Sequence, residues 1–514
     1  MHSNTKLTSK LNTVIALAVA LFLLCLSTWI MAVSFLHPQD NLITKTLIIL
    51  TVFFMIAEVG LFFVWDRFIA TRYIKLNNIL FTVGLSVYSV FLYVFNAIFR
   101  SFPGLFDYGI LMSGASSVAS KTPFEVVWYI EREKQQFKPI LYLGTVKKCA
   151  NLLGFDEYYL YNIISISAIV LSVLSIRYLA GSDKNERIRF QCPILALFMA
   201  YIPFVYYVPF LYTDTLSLGM GIISITLLKL SFDSVPKHKF ITYLISALSG
   251  LVLGYGYTGK VTCFIPVIAF IIIYCTKIRK KHLPQLGIAV LFAVIFIEST
   301  TLWANQYPIY ANSKDKGDPA IHYVALGIHG DGSLAFNNDY EQAVLSLNSS
   351  KEVSKFAWEH IKSHKSDLVS YNHYRDKTAL IFANGTANVK QAVANDDNAN
   401  HIKQQLFGYN GKYYWRMCQI SFCYMFSLWG LILCCCILTI VKILKNHEEN
   451  AILSCVQLAI IGAIIFVLIW ESNSRQLFNQ MPGIFLCAFF GMRMINDVLS
   501  ERIHKRDVIK RNTK

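Results

Sequence analysis

The sequence predicts an all-α polytopic membrane protein with about twelve transmembrane helices. Three observations predict it. The 514 residues are 55% hydrophobic and only 15% charged, too apolar for a water-soluble chain of that size. Apolar runs long enough to cross a hydrocarbon core, which takes about 20 helical residues, recur along most of the chain. The basic residues behind the net charge of +16 gather in short segments between those runs, where the positive-inside rule puts them. That placement argues against nucleic acid as a partner and for the lipid bilayer.

In chain order, the expected spans are 13–36, 42–65, 79–99, 159–180, 192–211, 216–232, 241–257, 261–276, 285–303, 417–441, 451–470 and 481–498. The first follows Lys6 and Lys10 and runs from Thr13 to Leu36 with no obvious cleavage site, so it reads as a retained span rather than a signal peptide. Arg67, Arg72 and Lys75, then Lys184, Arg187 and Arg189, then Lys237 and Lys239, then Lys277, Arg279, Lys280 and Lys281 fall on alternate connections. Those connections are expected in the cytoplasm, as is the basic tail 499–514 with Arg502, Lys505, Arg506, Lys510 and Arg511. A multi-pass cell-membrane protein with both termini cytoplasmic follows.

The domain plan is three spans in 1–99, a first large outer loop 100–158, six spans in 159–303, a second large outer loop 304–416 and three spans in 417–498. Long loops on a rigid scaffold are where function concentrates. In the first loop, Phe106 to Val118 and Phe124 to Tyr129 have helical spacing suited to the membrane interface. In the second, Ser350 to Tyr371 reads as an amphipathic helix, and sequons stand at Asn348 and Asn384. The twelve cysteines lie mostly inside apolar runs, Cys434, Cys435 and Cys436 together; they behave as small hydrophobes, and neither loop has a disulfide framework.

Five places bear chemistry. Gly254-Tyr255-Gly256-Tyr257-Thr258-Gly259-Lys260 fits a dinucleotide pattern and nearly a phosphate loop, but it joins two spans rather than a strand and a helix, which rejects both. Lys260 remains, as a cation for a lipid head group or one snorkelling to the interface. Asp107 follows the turn Ser101-Phe102-Pro103-Gly104 at the membrane boundary; partial desolvation there makes a carboxylate a better proton acceptor, and helix capping is the alternative. Asp214, in a short turn between two apolar runs, suits either an acceptor hydroxyl, a divalent ion or an N-cap. Glu471 and Arg475 stand four apart: a simple ion pair, or a planar fork for phosphate. His322, His329 and Asp331 occupy a Gly-rich run without recognised metal spacing, where ordinary hydrogen bonding is the default.

Together these stretches resemble the GT-C superfamily of integral membrane glycosyltransferases, in particular relatives of protein mannosyltransferases and of the lipid A aminoarabinose transferase, and most closely the polysaccharide-modifying members of Gram-positive bacteria. The likeness rests on Phe106-Asp107-Tyr108 opening a loop that continues through Tyr129, Gln135 and Gln136 to Leu152-Leu153-Gly154. It rests also on Tyr212-Thr213-Asp214-Thr215 with Gly259-Lys260, and on Glu471 to Arg475 with Pro482 beyond, after the loop holding His322, Gly327 and Gly385.

The resemblance implies a sugar carried on a polyprenyl phosphate, transferred with inversion to a hydroxyl of a glycan or protein acceptor outside the cytoplasm. It implies Asp107 as catalytic residue, and Asp214, Lys260, Glu471, Arg475 and His322 as substrate-binding residues. A divalent cation would fall to Asp107 and Asp214. Two departures bear on this: Tyr108 stands where many relatives have a second acid, and Gln476 where tyrosine often follows the arginine. The rival expectations are a transporter or flippase of lipid-linked saccharides, which favours mid-span charges and repeated halves, and a non-catalytic envelope assembly protein.

Overall fold

The computed structural model describes residues 2–38, 44–70, 72–100, 107–234, 239–275, 277–278, 280–313, 315–383, 385–389 and 400–512. The turn 101–104, Phe106, Lys237, Arg279 and Asn384 lie outside them. Among the described residues every regular element is a helix. Ten are long and apolar enough to cross a membrane: Lys10–Leu36, Thr44–Ala70, Ile74–Ile98, Glu157–Ala180, Thr213–Ser234, Lys239–Gly259, Lys280–Ala304, Tyr414–Asn446, Ala451–Ile469 and Ser474–Lys505.

Two of the twelve expected stretches do not form helices of spanning length. The stretch 192–211 breaks because helix Lys184–Ala200 ends just before Pro203, leaving the short helix Pro203–Tyr207; proline supplies no backbone N–H and disfavours helix at the residue before it. The stretch 261–276 yields only Val261–Tyr274, 14 residues starting with a 3-10 turn. At 1.5 Å per residue that covers about 21 Å, short of a hydrocarbon core.

Helices Thr213–Ser234, Ala451–Ile469 and Ser474–Lys505 are the most covered of the bundle, while Thr44–Ala70, Ile74–Ile98 and Lys280–Ala304 are mostly uncovered and present apolar side chains such as Phe53, Val87 and Leu291 outward, as lipid-facing helices do. Small residues let backbones meet. A Cβ on Gly250 would stand 2.1 Å from Ala289 O, and one on Gly491 2.2 Å from Leu431 O, the close approach that membrane helix pairs exploit.

Apart from Glu58, which stands midway along Thr44–Ala70 and accepts from Ser427 Oγ at 3.0 Å, the paired charges of the bundle gather at its two ends. At one end Asp66, buried, is held by Arg189 and by Asn496 Nδ2 at 2.8 Å, Arg493 pairs with Glu186 at 2.5 Å and Lys277 with Glu449 at 2.8 Å. At the other end the two long segments pack together. The first forms helices Asp107–Ser120, Val127–Arg132 and Phe137–Leu153, the outer two meeting where a Cβ on Gly144 would lie 2.6 Å from Val118.

The second segment folds around its own small core of Ala325, Leu326, Tyr340, Val344, Val353 and Ala357. Its expected helix from Ser350 to Tyr371 stops at Ser363, and a new helix, capped by the Ser370 side chain, runs from Tyr371 to Phe382. Arg132 joins the segments by hydrogen bonds to Asp318 (2.9 Å) and Glu341 (2.8 Å), assisted by Lys316 on Glu131 at 2.8 Å.

Candidate active site

Four charged residues from four places in the chain meet where the long segments cover the bundle. Asp214 lies in the single-turn helix Thr213–Leu216 and its side chain is only 3% exposed. Such a carboxylate needs partners, and it has two: Lys260 Nζ on Oδ1 and Arg475 Nε on Oδ2 at 3.0 Å. Its side chain therefore answers cations rather than capping a helix; the residue preceding the turn is Tyr212. Asp107 opens helix Asp107–Ser120, accepts a hydrogen bond from Tyr212 Oη at 3.0 Å and lies 3.9 Å from Arg475 Nη2. In contrast to Asp214, its side chain is 40% exposed. The Arg475 guanidinium also sits over the Tyr212 ring, 4.6 Å from its centre, so one tyrosine and one arginine tie both carboxylates together.

Backbone junctions explain why these groups converge. Lys260 follows Gly259 at the end of a span, its N–H still bonded to Gly256 O at 2.8 Å. Gly254 and Gly256 of the nucleotide-like pattern lie inside that helix, pressed on Ala293 O and on Met220. Arg475 is the second residue of the 3-10 stretch Ser474–Gln480, and its N–H donates to the capping Asn473 side chain at 3.0 Å. Asn479 then donates to Thr262 Oγ1 (2.8 Å) and Ser217 Oγ (3.3 Å), and Gln480 to Thr262 O (3.1 Å). These buried amides lock the segments bearing Asp214, Lys260 and Arg475 to one another. Polar bonds of this kind fix a geometry because breaking one leaves a buried group unsatisfied.

Glu471 stands beside the cluster. Helix Ala451–Ile469 ends at Trp470 and residues 471–473 are not helical, so the four-residue spacing to Arg475 is not that of a helical pair; Arg475 reaches Asp214 instead. Burial pushes the Glu471 carboxyl up to about 7, Arg475 drawing it down and Asp107 and Glu341 adding to the rise. His322 is placed elsewhere. It is buried, 3.4 Å from Glu341 Oε2 and 3.3 Å from Tyr340 Oη, within the ionic junction that Arg132 makes with Asp318 and Glu341. Burial holds its imidazole below the usual range.

Sequence reasoning missed Glu133. Its carboxylate accepts from Tyr323 Oη at 2.6 Å, and Gln136 beside it donates to Tyr212 Oη at 3.4 Å. Desolvation pushes Glu133 up to about 8 against the pull of the Tyr323 hydrogen bond, with Asp318 and Asp107 as negative neighbours. The only local signal is an acid in the run Glu131-Arg132-Glu133-Lys134, which reads as a solvated surface.

A divalent cation does not fit the two carboxylates weighed for it. Both oxygens of Asp214 are engaged by cations, and Asp107 lies against Arg475, so an added ion would face two fixed positive charges at close range. Among the described residues no group of three His, Cys, Asp or Glu side chains is arranged to hold a metal.

Among the described residues, an all-helical bundle with ten helices long and apolar enough to cross a membrane, and a largely buried charge cluster at one end, defines a polytopic integral membrane protein. The chain belongs to the family described as conserved hypothetical integral membrane protein, whose model matches residues 5–494. No curated protein and no solved structure matches it significantly.

Proposed function

We propose that the protein is a membrane glycosyltransferase of the GT-C type. It moves a sugar from a polyprenyl-phosphate donor to a hydroxyl of a cell-envelope glycan or protein outside the cytoplasm, with inversion at the anomeric carbon. The acceptor oxygen bonds to the anomeric carbon, the bond from that carbon to the phosphate oxygen breaks, and Asp107 takes the hydroxyl proton. Arg475 and Lys260 stabilise the charge on the departing phosphate, work that fixed cations do well in a dry site.

One observation supports this reading above others: an accessible carboxylate, Asp107, stands 3.9 Å from Nη2 of an arginine whose Nε is committed to the buried Asp214–Lys260 pair. A base and phosphate-binding cations thus share one place. The test is Asp107→Asn in cells, followed by mass and linkage analysis of envelope polysaccharide. The side-chain shape is kept and the proton acceptor removed, so the modification is expected to vanish while protein level in the membrane is unchanged. Persistence of the modification at the wild-type level would exclude Asp107 as base and leave a transport or assembly role.

A further inference from the structure

Lys377 is fully buried, and its Nζ donates to Gly327 O at 2.5 Å and to Trp470 O at 2.6 Å. These carbonyls belong to the two strips of backbone that press together where the second long segment meets the site. A Cβ on Gly327 would lie 2.4 Å from both Ile469 O and Trp470 O, and one on Gly332 2.5 Å from Ser472 Oγ. Gly332 has a left-handed φ of 73°, a conformation that glycine adopts without strain, and its carbonyl accepts from Ser472 N at 2.7 Å. Glu471 and Arg475 follow directly on that strip.

We propose that Lys377 is a positioning residue, whose amine clasps the Gly327–Gly332 run onto Trp470–Ser472 and so sets where Glu471 and Arg475 stand. The inference rests on the transferase reading for its consequence but not for its geometry. Lys377 faces Glu471 from the clasped strip, Asp331 from the glycine run and His373 from its own helix; Tyr323, stacked on Trp470 at 5.2 Å, flanks them.

Burial draws the Lys377 amine down from 10.5 to about 7. An opened clasp would return it to water and its ordinary basicity, so the open form takes up a proton more readily than the closed one between those values. Closure is therefore strongest above about pH 10, weakens by up to about tenfold per unit as pH falls through that window, and levels off below 7. Glu471, pushed up to about 7, His373, held below the usual imidazole range, and Tyr323, held well above 10, contribute little slope between pH 7.5 and 10.

Hydrogen exchange on the full-length protein in lipid nanodiscs tests this, read as protection factors for peptides covering 327–332 and 470–473 from pH 7.5 to 10. Wild type is expected to gain up to about tenfold protection per unit, Lys377→Met to show no slope, and the far-end peptide around Asn496 to change in neither. A flat wild-type profile, or a slope surviving in Lys377→Met, overturns the proposal; the wild-type series decides alone if the variant does not fold. If Asp107→Asn abolishes transfer, Lys377→Met should lower kcat and remove its rise with pH over the same window. A responsive clasp in a protein without transferase activity would sink the functional reading and leave the clasp.

Discussion

Asp214 is held between two cations, and replacing it with asparagine tests whether that arrangement is a true ionic triad. In the native state one carboxylate, 3% exposed, accepts from Lys260 on one oxygen and from Arg475 on the other. The cations therefore stand about 5 Å apart, and at an effective dielectric of about 20 they repel by about 3 kcal/mol. Asp214→Asn keeps the shape but removes the charge that outweighs this repulsion, so a loss of about 3–5 kcal/mol is expected, as for other buried pairs deprived of one partner. Adding Lys260→Met removes one of the two repelling cations. The second substitution should then restore about 1–3 kcal/mol rather than cost more, an interaction energy well above the additivity error of about 0.5 kcal/mol. Reversible unfolding of the four proteins of the cycle in mixed micelles measures it. If the double variant is less stable than Asp214→Asn alone, the repulsion argument is wrong and Lys260 contributes chiefly through packing.

Two further outcomes are expected. Glu133 is pushed from 4.5 up to about 8 by burial, so its stabilising contribution is fully present below pH 4.5 and is lost as pH rises through 8. Glu133→Gln should flatten the pH dependence of stability in that window by up to about 1.4 kcal/mol per unit, seen in melting curves taken every half unit; an unchanged slope would mean the carboxyl is solvated. Gly250→Ala drives a methyl to 2.1 Å from Ala289 O and should destabilise by about 1–3 kcal/mol, lowering Tm in the same assay, whereas Gly287→Ala, with nothing within 4 Å, should not.

What the sequence revealed and what it hid follow from the distance over which each signal acts. Spans were legible because lipid demands long apolar runs, and the failures at 192–211 and 261–276 came from helix length, which hydrophobicity does not report. Asp214, Lys260 and Arg475 stood out as charges at the edges of apolar runs, where a group that is costly to bury draws attention. Glu133 and Lys377 did not. Each lies in a polar stretch, Glu131 to Lys134 and Tyr374-Arg375-Asp376-Lys377, and becomes buried only through a partner far along the chain: Tyr323 for Glu133, Gly327 and Trp470 for Lys377. His322 carried no local signal beyond its Gly-rich run, and its substrate-binding role came only from the resemblance; the structure places its imidazole at the ionic junction of Arg132, Asp318 and Glu341.

Two carboxylates flank one guanidinium, and their surroundings divide the work between them. Asp214 is held by Lys260 and Arg475, whose segments the amides of Asn479 and Gln480 tie together, so it cannot reach a substrate without breaking bonds that hold the spans in register. Asp107 comes from the first long segment, is tethered only through Tyr212 and Arg475 among the contacts described, and keeps two-fifths of its side chain exposed. A group that must meet an incoming hydroxyl has to be accessible, and one that must hold two cations in place has to be fixed. On the proposed transferase reading, the difference in exposure, rather than any difference in residue type, is what favours Asp107 for the proton and Asp214 for the scaffold of charge around it.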